Sequence, residues 1–128
     1  MKEIKIFILS ILLFSPVLCF AQKAYESVDY VGAFNGFSIK FTLANGYIGA
    51  SRISLKINHK KALIFTSVSG VADEKEQLKF LHYINPLKFS KNYFILYGMR
   101  AGYADEPQRI LGTYHDGKRE FKIILKKK

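Results

Sequence analysis

Between Phe37 and Leu43 an apolar side chain occupies every second position: Phe37, Ile39, Phe41 and Leu43, with Ser38, Lys40 and Thr42 between them. An extended chain points successive side chains to opposite faces, so this period of two dictates a strand with one buried face. Asn45-Gly46 follows, a pair that adopts positive φ at little cost. Ile53, Leu55 and Ile57 then alternate with Ser54 and Lys56. Phe37 to Ile57 therefore reads as a β-hairpin. A two-residue loop would set Arg52 opposite Ile39, a charge on the apolar face. A three-residue loop, Ala44 to Gly46, sets Phe37 opposite Ile53 and Leu43 opposite Tyr47. A one-residue slip turns every side chain over, so burial of one face selects the second register, with Gly46 left-handed. A bulge near Gly49 would rescue the first.

The neighbouring segments extend the pattern. Tyr25 to Phe34 reads as a strand that turns at Asn35-Gly36, pairing Phe34 with Phe37, Gly32 with Ile39, Tyr30 with Phe41 and Val28 with Leu43. After a turn at Asn58 to Lys61, the strand Ala62 to Val68 returns with Leu55 opposite Ile64. Asp73 and Glu76 have capping-box spacing, which leaves room for one short helical turn. The alternation in Leu78-Lys79-Phe80 favours a loop and a short strand instead, ended by Asn85-Pro86. Tyr93 to Met99 is apolar on both faces and predicts a doubly covered strand. Gly102 to Gln108 reads as a long loop. Arg109 to Tyr114 and Arg119 to Leu125, joined at Asp116-Gly117, form a closing hairpin with Ile110 opposite Ile123 and Phe121 over Gly112. The fold class is all-β: one small antiparallel barrel or sandwich of seven to eight meandering strands, with closure favoured because it removes exposed edges.

Val31-Gly32-Ala33-Phe34-Asn35-Gly36 is echoed by Leu111-Gly112-Thr113-Tyr114-His115-Asp116-Gly117. Each copy sets a strand glycine and an aromatic just before a turn, as at a barrel corner. Over three residues, Gly32-Ala33-Phe34 resembles the glycine-x-tryptophan signature of lipocalins and related calycin barrels, with Phe34 in the place of the tryptophan. The resemblance implies a barrel by analogy and carries over no binding residue.

Residues 1–21 have the organisation of a secretory leader: Lys2 and Lys5, the apolar run Ile6 to Phe14, and Cys19-Phe20-Ala21 before Gln22. A lipoprotein leader using Cys19 is the alternative, but Leu18 stands where such processing resembles a requirement for a small residue. Cleavage after Ala21 leaves one domain, residues 22–128, with no cysteine and no stretch long enough to span a bilayer. An exported domain without disulfides is held by packing alone, which fits a bacterial periplasm or cell surface. Thiolate metal sites and cysteine nucleophiles are excluded from it. Its 18 basic and 9 acidic residues give about +9, a balance that favours anionic partners.

Catalytic signatures are missing. The sequence has no G-x-S-x-G elbow, phosphate loop or H-E-x-x-H. His59, His82 and His115 lack metal-ligand spacing. The acids at Asp73–Glu76 and Asp105–Glu106 read as solvated loop residues, not a catalytic pair. The expectation is a non-enzymatic binding or interaction protein without cofactor or metal, whose partner is an anionic envelope component or a protein. The alternative is a small amphipathic ligand, lipid or glycan, taken up by the barrel interior or mouth. Export argues against nucleic acid. An interior plugged by Phe34, Phe37, Phe41, Tyr93 and Phe121 would favour the partner reading. The residues singled out for ligand or partner contact are Tyr103, Arg100, Arg52 and Lys60.

Overall fold

The computed structural model describes residues 25–128, and the leader expected over 1–21 lies outside the described residues. Eight strands follow one another: β1 (Glu26–Phe34), β2 (Phe37–Asn45), β3 (Arg52–Ile57), β4 (Leu63–Ser67), β5 (Leu78–Asn85), β6 (Lys88–Leu96), β7 (Arg109–His115) and β8 (Glu120–Lys127). Each pairs antiparallel with the next, and β8 returns to β1 through Tyr30–Lys127 and Val31–Lys126, so the sheet closes into a barrel. Closure satisfies the backbone groups that an open sheet would leave on its edges. Among the described residues no helix is long and apolar enough to cross a membrane.

The β1–β2 register is the expected one, from Phe34–Phe37 to Val28–Leu43. The registers expected for the β2–β3, β3–β4 and β7–β8 hairpins differ from the observed ones, each because the loop has a length other than the one expected. Gly46 is left-handed (φ 96°), and the amide of Tyr47 donates to the Ala44 carbonyl at 3.1 Å. Yet β3 does not start there. The chain first makes a single 3-10 turn, Ile48–Ala50, that buries Ile48, and Ser51 Oγ accepts the Ala44 amide at 2.9 Å. Phe37 therefore faces Ile57, and Phe41 faces Ile53. The shift is by an even number of residues, so the same faces stay buried.

Between β3 and β4, Leu55 faces Leu63 and Ser54 faces Ile64, which turns Ile64 outward. The helical turn allowed for at Asp73 does not form. Asp73 Oδ1 accepts the amides of Lys75 and Gln77 at 2.9 and 2.8 Å and holds a loop ahead of β5. Strand β6 begins at Lys88, five residues earlier than its apolar run. In the closing hairpin a four-residue loop forms because Asp116 Oδ1 accepts the amides of Lys118 and Arg119. Ile110 consequently faces Leu125, Gly112 faces Ile123, and Phe121 faces Tyr114.

The barrel interior is filled. Tyr30, Phe41, Phe65, Phe80, Phe94 and Tyr114 are buried within it, and Phe65 and Phe94 meet edge to face at 4.8 Å. Such pairs add to the area term, and truncating one such ring costs about 3–5 kcal/mol. Phe34 stacks on Phe37 at 4.9 Å and packs against Phe121 at 5.3 Å near the turn end of the core. Tyr93 departs from expectation: it stacks on His115 at 4.2 Å with Lys79 Nζ over its ring, while Phe94 and Leu96 take the buried positions. The apolar outer face of β6 is covered by neighbouring side chains and a lysine stem instead of a second layer.

The two strand glycines of the internal echo sit where strands approach closely. A Cβ on Gly32 would lie 2.8 Å from the Ile124 carbonyl of β8, and one on Gly112 would lie 2.5 Å from the Ile95 carbonyl of β6. Leu125 and Leu96 fill the space next to them. A leucine from the neighbouring strand, not Phe121, thus covers Gly112.

Candidate functional site

An up-and-down barrel sorts its connections to two ends. One end, the mouth, gathers the start of β1, the three long connections (residues 46–51, 68–77 and 97–108) and the end of β8. The opposite end carries four shorter turns: 35–36, 58–62, 86–87 and 116–119.

The mouth is closed and cross-tied. Ile48, Met99, Ala72 and Tyr103 pack onto the core from the long connections. Asn45 clamps the last of these loops: its Nδ2 donates to the Tyr103 carbonyl at 3.0 Å, and its Oδ1 accepts the Tyr103 amide at 2.7 Å. Tyr30 Oη reaches out of the core and donates to the Pro107 carbonyl at 2.7 Å. Burial, with Glu106 and Tyr103 adding to it, pushes the Tyr30 phenol up to about 12. The Tyr103 hydroxyl donates to the Gly98 carbonyl at 2.5 Å and accepts the Arg100 amide at 3.0 Å. Burial raises its pKa against the opposing Arg100 amide bond and charge. Outside this cap lies an open recess of about 820 Å³ lined by Tyr25, Glu26, Asn45, Gly102, Tyr103 and Glu106.

Charge divides between the ends. The mouth segments and the strand residues bordering them carry eight basic side chains but also six acidic ones, Glu26, Asp73, Glu74, Glu76, Asp105 and Glu106. Arg100 Nε sits 3.4 Å from Glu76, and Lys127 Nζ 4.0 Å from Glu106. Around the turn end, eight basic side chains face only two acids, Asp116 and Glu120. Lys56, Lys60 and Lys61 come from the β3–β4 side, Lys88 and Lys91 from β6, and Lys118, Arg119 and Lys122 from the β7–β8 side. Arg119 pairs with Asp116 at 3.4 Å; the seven lysines make no salt bridge among the described residues. Eight cations against two acids leave this end with a cationic surplus.

The structure brings Tyr103 and Arg100 together at the mouth. Arg52 lies on the outer wall, opposite Thr42 and Thr66 and exposed. Lys60 stands at the far end. The four therefore do not form one site. Sequence reasoning missed the β5–β6 tip, where Tyr83, Ile84, Leu87 and Phe89 are exposed. Only the structure shows the extra length: β4 has five residues and β7 seven, beside eight in β5 and nine in β6. Among the described residues no group of three or more His, Cys, Asp and Glu side chains could hold a metal ion.

Compared with protein-family models, curated proteins and solved structures, the chain finds no match.

Proposed function

We propose that the chain is an exported, non-enzymatic interaction protein of a bacterial periplasm or cell surface that engages an anionic partner through the turn end of its barrel. The observation that carries this reading is the charge division: seven lysines that make no salt bridge among the described residues at one end, beside a mouth where acids and bases offset each other. Complementary charge speeds encounter and selects partners. The aromatic filling of the barrel weighs against carriage of a ligand in its interior. A small amphipathic ligand at the mouth remains the second reading, favoured by the open recess beside Tyr103.

The test compares two triple variants. Lys60→Glu/Lys61→Glu/Lys118→Glu reverses charge at the turn end; Arg52→Glu/Lys79→Glu/Lys126→Glu reverses the same number on the wall and mouth. Binding is measured to heparin, to lipopolysaccharide and to phosphatidylglycerol vesicles. The turn-end variant is expected to lose at least about tenfold more affinity than the other. Equal losses would refute a localised site. Intact mass of the exported protein tests cleavage after Ala21.

A further inference from the structure

Past the ladders that close the barrel, β5 and β6 continue as an arm. Strand β4 pairs with β5 only at Thr66–Leu81 and Ser67–Phe80, and β7 pairs with β6 only between Tyr93 and Leu96. Beyond those positions the two strands have each other, through Tyr83–Phe89 and Asn85–Lys88, with register irregularities on either side. The bond between His82 Nδ1 and the Ile64 carbonyl, 2.9 Å, ties the base of the arm to β4. On the arm Tyr83, Ile84, Leu87 and Phe89 are exposed, Leu87 to 97%. A two-stranded hairpin is marginal in water by itself, and four large apolar side chains within seven residues are the kind of patch that marks an interaction surface.

Cations surround this tip. Lys88 is part of the arm's last pair, Lys91 lies further down β6, and the flanking turns bring Lys60 and Lys61 on one side and Lys118 on the other. Lys91 also reaches the Asp116–Arg119 turn, where its Cβ would stand 3.3 Å from a Cβ on Gly117.

We propose that the arm docks onto an anionic phospholipid surface, its apolar tip entering the interface while the surrounding lysines meet headgroup phosphates. This deepens the reading of an anionic partner and rests on it. Three observations select the occupant. The lysine surplus requires negative charge opposite. A second copy joined tip to tip would bring two cationic ends together, which is repulsive. The tip is also convex, with Leu87 standing free on all sides; a fluid interface admits it as it is, where a protein would need a matching groove. From Tyr83 and Phe89 to Leu87 the arm rises two residues, about 7 Å, within the roughly 5–10 Å to which amphipathic elements sink into an interface.

The chain contains no tryptophan, so Leu87→Trp installs a single reporter at a position that packs against nothing. The exported protein is mixed with phosphatidylcholine vesicles containing phosphatidylglycerol, with phosphatidylcholine vesicles alone, and with heparin. We expect a blue shift and quenching by brominated acyl chains only with the anionic vesicles. Leu87→Ser/Phe89→Ser should lower vesicle partitioning by at least about tenfold while leaving heparin binding unchanged. All variants share one N-terminus, so any effect of the first residues cancels. Anionic vesicles bound without shift, quenching or sensitivity to the double substitution would overturn insertion and leave the anionic-partner reading standing. Binding to heparin but not to vesicles would also overturn it, and assign the surface to a glycan. Binding to none of the anionic probes would overturn both readings.

Discussion

Replacing Gly112 with alanine tests whether the barrel depends on the close approach of β6 and β7. The added methyl would stand 2.5 Å from the Ile95 carbonyl oxygen, 2.6 Å from Leu96 Cδ2 and 3.3 Å from Leu96 Cα. Ordinary contact needs about 1 Å more, and the nearest obstacle is backbone, which cannot swing aside. Leu96 is fully buried, so its methyl has nowhere to go either. Overpacking of this kind costs about 1–3 kcal/mol, and parting the strands adds about 1 kcal/mol for each ladder hydrogen bond it weakens. Against this, alanine narrows the unfolded ensemble by about 0.4–1 kcal/mol. A net loss of about 2–3 kcal/mol remains, which in a domain near 100 residues lowers Tm by roughly 10–15 °C. Gly70→Ala is the internal control, since a Cβ there meets nothing within 4 Å. Melts of both variants, followed by circular dichroism, should separate clearly. If Gly112→Ala melted with Gly70→Ala and wild type, close approach would not be why glycine stands at that position.

Asn45→Ala removes both hydrogen bonds to the Tyr103 backbone, so it should cost about 1–3 kcal/mol and speed amide exchange in the 97–108 connection first; unchanged exchange there would show that the clamp does not hold the loop. The tyrosines set the alkaline limit of stability. The folded Tyr30 phenol ionises near 12 against an ordinary 10.0, and burial likewise raises Tyr103 and Tyr114. Between those values the unfolded chain gives up protons that the native one keeps, so stability that is fully present below pH 10 falls as pH rises towards 12. Urea midpoints should decline over that window, less steeply in Tyr30→Phe; parallel declines would refute the assignment to Tyr30.

How much of this was legible in the sequence differs from hairpin to hairpin. At Asn35-Gly36 the loop is as short as a hairpin permits, so alternation alone gave every pair of β1 and β2. Between β2 and β3 the period of two marked the buried faces correctly, but Ile48 looks like a strand residue and is instead a loop residue that plugs the mouth. Periodicity reports which face is buried; loop length sets register, and it depends on contacts such as Ser51 with the Ala44 amide or Asp116 with two amides. The glycines of the internal echo stood out as special strand positions, and the structure sets both at close strand approaches. Their partners, Leu125 and Leu96, were not, because no local rule says which neighbouring strand fills the space over a glycine.

The cationic end illustrates the same limit for the candidate site. Along the chain the basic residues look dispersed, and dispersion normally argues for solvated outer faces. In a meander, however, every second connection returns to the same end. Lys60, Lys88 and Lys118, spaced 28 and 30 residues apart, fall at the same end because each lies at or beside a turn one hairpin removed from the last. Topology thus converts a sequence period of one hairpin into a surface. The mouth receives the alternate connections, and there the acids of residues 73–76 and 105–106 meet Arg100 and Lys127. The two ends differ less in how many cations they hold than in whether acids stand beside them. A barrel filled by its own aromatics has only its outside to offer, so the end with the fewer counter-charges is the one where a partner's negative charge gains most.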